Sequence, residues 1–197
     1  MNRDLPHNDN YQLLISRLDS FIRKYYKNKI VKGIILVVSI LLLSYLVVSI
    51  LEYFKHFNTT VRTALFYSYT FLNALVIGYY IIYPILQLFK IGNIISHRRA
   101  ANIIGTHFAT VKDKLLNTLQ LNEMMNQSDY YETRQLIRAS IDQKINELKH
   151  VTFTNAINIF ENRKYLKFTI IPLIIIGSLL IITPKVFRES TTRLIRH

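Results

Sequence analysis

Apolar and polar residues along this chain fall into long blocks. Three blocks carry no charge: residues 33–51, 63–89 and 168–184, of 19, 27 and 17 residues. A helix rises about 1.5 Å per residue, so about 20 residues cross the about 30 Å hydrocarbon core of a bilayer. The first two blocks meet that length, and the third lies at its short limit. The pattern predicts three transmembrane helices, the first two forming a hairpin over 33–89. Outside the blocks the period is also helical. Tyr11, Leu14, Ile15, Leu18, Phe21, Ile22 and Tyr25 recur at steps of three and four, with Arg17, Arg23, Lys24 and Lys27 mostly off that stripe. This predicts an amphipathic N-terminal helix within a tail over 1–32. It would lie on the inner leaflet or pack on the segment that follows the hairpin. Residues 1–10, with Pro6, read as a frayed terminus.

The segment 90–167 reads as a helical module. Ser96 is placed to cap a helix running to about His107, with Ala100, Ile103 and Ile104 on one side. Thr110 with Asp113 resembles a capping box opening a second helix. Asp129 with Glu132 opens a third, along Ile137, Ile141, Ile145 and Leu148. Thr154 opens a fourth that runs into the third apolar block. The expected fold class is therefore all-α: an integral membrane protein with three transmembrane helices, an amphipathic N-terminal helix and a cytoplasmic helical module.

Composition agrees with this division. Mean hydropathy is +0.19 although 19% of residues are charged, as expected when part of the chain lies in lipid. Five glycines and four prolines argue against a loop-rich β fold. The absence of cysteine removes disulfides, thiolate metal sites and a thiol nucleophile. The first block exceeds the about 7–15 residues of a signal-peptide core and no small-residue cleavage motif follows it, so it reads as an uncleaved anchor.

Charge supplies an orientation. Seven Lys and Arg precede the first block and twelve lie between the second and third, against two in the 52–62 loop and four after the third block. The positive-inside rule places the N-terminus and 90–167 in the cytoplasm, and 52–62 and 185–197 outside. The four basic residues of the tail run against this. A net charge of +13 beside apolar blocks points to anionic headgroups rather than nucleic acid, since the aromatic interleaving of a strand binder is missing. Lys24, Lys27, Lys29 and Lys32 before the first block, with Lys90, Arg98 and Arg99 after the second, are the candidate anionic-lipid contacts.

Within the blocks, the second is rich in tyrosine near its ends, Tyr67 and Tyr69 at one and Tyr79, Tyr80 and Tyr83 at the other, as in an aromatic belt. Pro84 should loosen its inner end. Ala74 and Gly78 form a small-xxx-small pair, and Asn73 needs a partner in hydrocarbon. Together they predict a packing seam against the first block, where Ser39, Ser44 or Ser49 could face Asn73.

No nucleotide-binding glycine loop, nucleophile elbow or H-E-x-x-H motif occurs. The six histidines (His7, His56, His97, His107, His150 and His197) are scattered. The apolar blocks hold no ionisable residue, which argues against a self-contained ion pathway. No catalytic, cofactor or metal site is expected.

The segments Ala100-Ala101-Asn102-Ile103-Ile104-Gly105-Thr106-His107-Phe108 and 111–121, with 18–26, 139–145 and 189–195, resemble the N-terminal part of domain-of-unknown-function family 4175, large membrane proteins of Bacteroidetes-type bacteria. The resemblance covers nearly the whole chain and implies a continuation beyond His197 into a long extracytoplasmic region. It implies a non-enzymatic inner-membrane anchor and assembly module of a larger envelope protein, with membrane or envelope proteins or further copies as partners. An oligomeric channel or transport subunit is the alternative.

Overall fold

The computed structural model describes residues 9–55, 57–127 and 130–182. Among these every regular element is helical. In order they are α1 (Asp9–Lys55), α2 (Thr59–Ile77), a π turn (Gly78–Ile82), α3 (Tyr83–Leu88), α4 (His97–His107), α5 (Ala109–Gln127), α6 (Tyr131–Leu148), two 3-10 turns (Phe153–Ala156 and Ile159–Asn162) and α7 (Arg163–Ile182). Three helical stretches are long and apolar enough to cross a membrane, one in each predicted block. The expectations for Asp129 and for 183–197 lie outside the described residues.

The chain divides into two compact units, and the division corrects the predicted boundaries. One unit takes the described part of Met1–Tyr26 with Lys90–Asn158; the other takes Lys27–Phe89 with the described part of Ile159–His197. The N-terminal stripe therefore belongs with the following helical module rather than with a separate tail over 1–32. Leu14, Leu18, Phe21, Ile22 and Tyr26 are buried in that first unit, together with Ala100, Ala101 and Ile104 of α4, Val111, Leu115 and Leu119 of α5, and Ile141, Ile145 and Leu148 of α6. Each large aliphatic or aromatic side chain buried this way contributes about 1.5–3 kcal/mol. That outweighs what the same stripe could gain half-immersed at a headgroup surface.

Polar contacts fix the register of α1 in this unit. The Arg17 guanidinium donates to the carbonyls of Leu148 (3.3 Å), Lys149 (2.8 Å) and Val151 (3.2 Å), and lies 5.3 Å from the Phe153 ring centroid. It bonds carbonyls at and just beyond the end of α6, and its charge suits a helix C-terminus. Lys24 donates to the Thr154 carbonyl at 2.7 Å, and the Tyr26 hydroxyl accepts the Ile95 N–H at 2.9 Å.

Ser96 caps α4, its hydroxyl accepting the Arg99 N–H at 3.2 Å. Two other predicted starts differ. The helix after α4 begins at Ala109, so Thr110 lies inside it and is not its cap. Thr154 falls within a 3-10 turn, and two such turns separate α6 from α7 where a fourth helix was expected. Phe153, Ala156 and Ile157 of this stretch are buried. The module accordingly ends at Asn158, and α7 starts at Arg163, five residues before the third apolar block.

Candidate functional site

The second unit holds the apolar helices, and its polar contacts lie along their seams. Asn73 is buried, and its amide donates to the Tyr69 carbonyl (2.8 Å) and to the Ser44 hydroxyl (3.4 Å). Ser44 is thus the serine that meets Asn73. Ser39 is instead 2.6 Å from the Thr169 hydroxyl, which also reaches the Ile35 carbonyl at 3.2 Å. Asn162 donates to the Asn28 side-chain oxygen at 2.7 Å. These bonds join α1 to α2, to α7 and to the 3-10 turn that precedes α7.

The small-residue pair requires correction. Ala74 is exposed, and a Cβ built on Gly78 would meet nothing within 4 Å. Successive residues turn about 100° around a helix, so the rotation that buries Asn73 carries Ala74 and Gly78 off the contact line. The close approach occurs at Gly33. A Cβ there would overlap the Tyr80 carbonyl oxygen and stand 3.0 Å from its carbon. Pro84 explains why that carbonyl is in position. It lacks an N–H for the carbonyl four residues back, and the helix widens into the π turn, with the Tyr83 N–H reaching Gly78 five residues back. Gly33 is the first glycine of the chain, and that isolation was the available signal.

Around this contact lies a cavity of about 210 Å³ lined by Lys29, Lys32 and Leu36 of α1 and by Tyr79, Tyr80 and Tyr83. The Lys29 ammonium is 5.7 Å from the Tyr83 ring centroid, and that of Lys32 is 4.4 Å from the Tyr165 ring centroid. At the opposite end of the same helix pair, Glu52 is 1% exposed and its carboxylate lies 3.1 Å from Arg62 Nε. Arg62 also donates to the Phe57 carbonyl at 2.9 Å, and Asn58 caps α2 by accepting the Val61 N–H.

The predicted lipid-contacting cations fall into three groups. Lys90 pairs with Asp19 at 3.1 Å and Arg98 with Glu123 at 2.9 Å, while Lys24 serves the Thr154 carbonyl. These act inside the first unit. Lys27 and Arg99 are exposed. For Lys29 and Lys32, no carboxylate oxygen lies within 4.0 Å among the described residues.

Asp19 joins α1 to the start of the 90–158 segment. Its second oxygen is 2.9 Å from His97 Nε2, and Lys90 itself adopts a φ of 62°. Partial burial alone would raise the Asp19 pKa. Hydrogen bonds from His97 and Lys90 and their charges outweigh it and hold the carboxyl below its ordinary value. A depressed carboxylate contributes stability above the unfolded pKa of about 3.9, and loses it as pH falls through the folded value. Asp19→Asn should therefore unfold at a lower temperature than wild type near neutral pH. The difference should close below about pH 4, as followed by circular dichroism; a gap that persists in acid would contradict this.

Among the described residues no three of His, Asp and Glu stand close enough to share a metal ion. No family model matches the chain, and no curated protein or solved structure matches it.

Proposed function

We propose that this chain is a non-enzymatic anchor and assembly module of a larger bacterial envelope protein, held in the inner membrane by three spans. The N-terminus and the unit containing 90–158 lie in the cytoplasm, and the 52–62 loop lies outside. The observation that carries the reading is the contrast between the two units. One has a conventional buried core, with the ion pairs Lys90–Asp19, Arg98–Glu123 and Lys114–Glu147 at its surface. The other exposes apolar side chains along whole helices, including Ile170, Ile171, Leu173 and Ile174 of α7, each at least half exposed. Such surface is costly in water and inexpensive in lipid. The excess of Lys and Arg in the segments assigned to the cytoplasm supports the orientation.

Two experiments test the reading. Crosslinking and capture of the full-length protein should recover membrane or envelope proteins, or further copies of itself. Recovery of none, together with measurable turnover by the purified fragment, would sink it. The orientation is tested by charge. Changing Lys27, Lys29 and Lys32 to Gln while adding four Lys to the outer loop should give mixed or inverted topology, read by a reporter fused at residue 58. Lys24 is left intact because it bonds within the helical unit. A reporter that stays wholly outside would show that these charges do not set the orientation.

A further inference from the structure

The cavity beside the π turn has the chemistry of a phosphate site at headgroup depth. Its cations come from the residues just before the first apolar block, and its tyrosines from the end of the second, so both lie at one end of an antiparallel pair. We propose that Lys29 and Lys32, with the hydroxyls of Tyr79, Tyr80 and Tyr83, bind the phosphate of an anionic phospholipid. The inference rests on the reading that these helices lie in a bilayer.

Three observations converge on it. The first is charge without a counter-ion. Lys90, Arg98 and Lys114 in the first unit each meet a carboxylate. Lys29 and Lys32 meet none among the described residues: the Lys29 ammonium stands by the Tyr83 ring, and that of Lys32 by the Tyr165 ring, whose hydroxyl accepts a hydrogen bond from it. A ring face attracts a cation without neutralising it, so the positive charge stays available to an anion.

The second is the donor set. Tyrosine hydroxyls and lysine ammonium groups all donate, and no acidic side chain lines the space. A phosphate, with acceptor oxygens and negative charge, complements this lining; a cation or an apolar ligand does not. The third is size and shape. At about 210 Å³ the space is smaller than the about 300–1,000 Å³ of a typical small-molecule site. It suits a headgroup fragment whose acyl chains continue over Leu36 along the helix surface.

The π turn makes the arrangement possible. Tyr79 and Tyr80 lie within that turn, in edge-to-face contact at 5.0 Å beside the point where Gly33 meets the backbone. Such turns recur at functional sites because they re-aim side chains without ending the helix. Sequence reading placed Tyr79, Tyr80 and Tyr83 in a general aromatic belt and Lys29 and Lys32 in a diffuse basic flank. The structure brings five of these side chains to one cavity.

Free phosphate esters share this chemistry, so the test separates the sources. The full chain is purified into nanodiscs of mixed phosphatidylglycerol and phosphatidylcholine, released, and its retained lipid read by native mass spectrometry. Wild type should retain phosphatidylglycerol in preference to phosphatidylcholine, and millimolar inorganic phosphate should not displace it. The K29Q/K32Q variant should lose that preference about thirtyfold, as expected for two basic residues at about 1 kcal/mol each. K27Q/K167Q removes the same charge from the same flank outside the cavity and should retain it. Y79F/Y83F should weaken retention with no change of charge, and K29R/K32R should preserve it. Equal loss in the two glutamine pairs, or no loss in either, overturns the site and leaves only diffuse attraction. Displacement by inorganic phosphate overturns the lipid assignment. Release of the protein from membranes by alkaline carbonate would overturn the bilayer reading beneath it. A membrane-embedded protein with no lipid selectivity would overturn the site alone.

Discussion

Replacing Arg62 with methionine should destabilise the protein by about 3–5 kcal/mol, because it leaves the Glu52 carboxylate buried without its cation. Glu52 is 1% exposed and Arg62 17%, so solvent screens the pair little. The substitution also removes the bond to the Phe57 carbonyl that steadies the turn into α2. Glu52→Gln should cost less, since a neutral amide is easier to bury and Arg62 keeps its carbonyl partner. The double variant E52Q/R62M should recover much of the R62M loss, because it no longer buries an unpaired charge. Resistance to unfolding in mixed micelles gives these differences. Equal and additive costs for the two single variants would show that the pair is not coupled.

The coarse architecture was legible because hydrocarbon is a demanding solvent. Three uncharged runs of the necessary length and few helix breakers leave little but long apolar helices, and the described part of each run falls on a helical stretch long and apolar enough to cross a membrane. Capping chemistry located α4 through Ser96 for the same local reason. The misplaced features depend on what a surface meets in three dimensions. The stripe through Leu14, Leu18 and Phe21 has the same period whether it faces lipid or protein, and burial in the helical unit separated the two. The pattern at Ala74 and Gly78 specifies small residues but not the rotation of the helix, and Asn73 claims that rotation for Ser44. Glu52 and Arg62 each read as ordinary flanking charges until the hairpin brings them together. The π turn was only partly announced, since Pro84 signals a loosened helix and not which residues it re-aims.

Gly33 is the second position with a large expected effect. Gly33→Ala should destabilise by about 1–3 kcal/mol, because the added methyl meets backbone at Tyr80 that must shift to admit it. Alanine is the better helix former by about 1 kcal/mol. The same change at Gly78, where a Cβ has open space, should therefore be neutral or stabilising. Gly33→Leu should break the close contact and, with it, the retention of anionic lipid. If G78A proved the costlier change, the seam would run through the small-residue pair after all.

The central claim is a three-span protein with its helical unit in the cytoplasm, and single thiols test it most directly because the chain has no cysteine of its own. Thr60→Cys, Tyr130→Cys and Thr192→Cys are treated with an impermeant maleimide in spheroplasts and again after lysis. Thr60 is exposed and the Tyr130 side chain is 79% exposed, so access at these two is governed by the membrane rather than by burial. Positions 60 and 192 should react in sealed spheroplasts, and position 130 only after lysis. Reaction of position 130 in sealed spheroplasts would contradict the account.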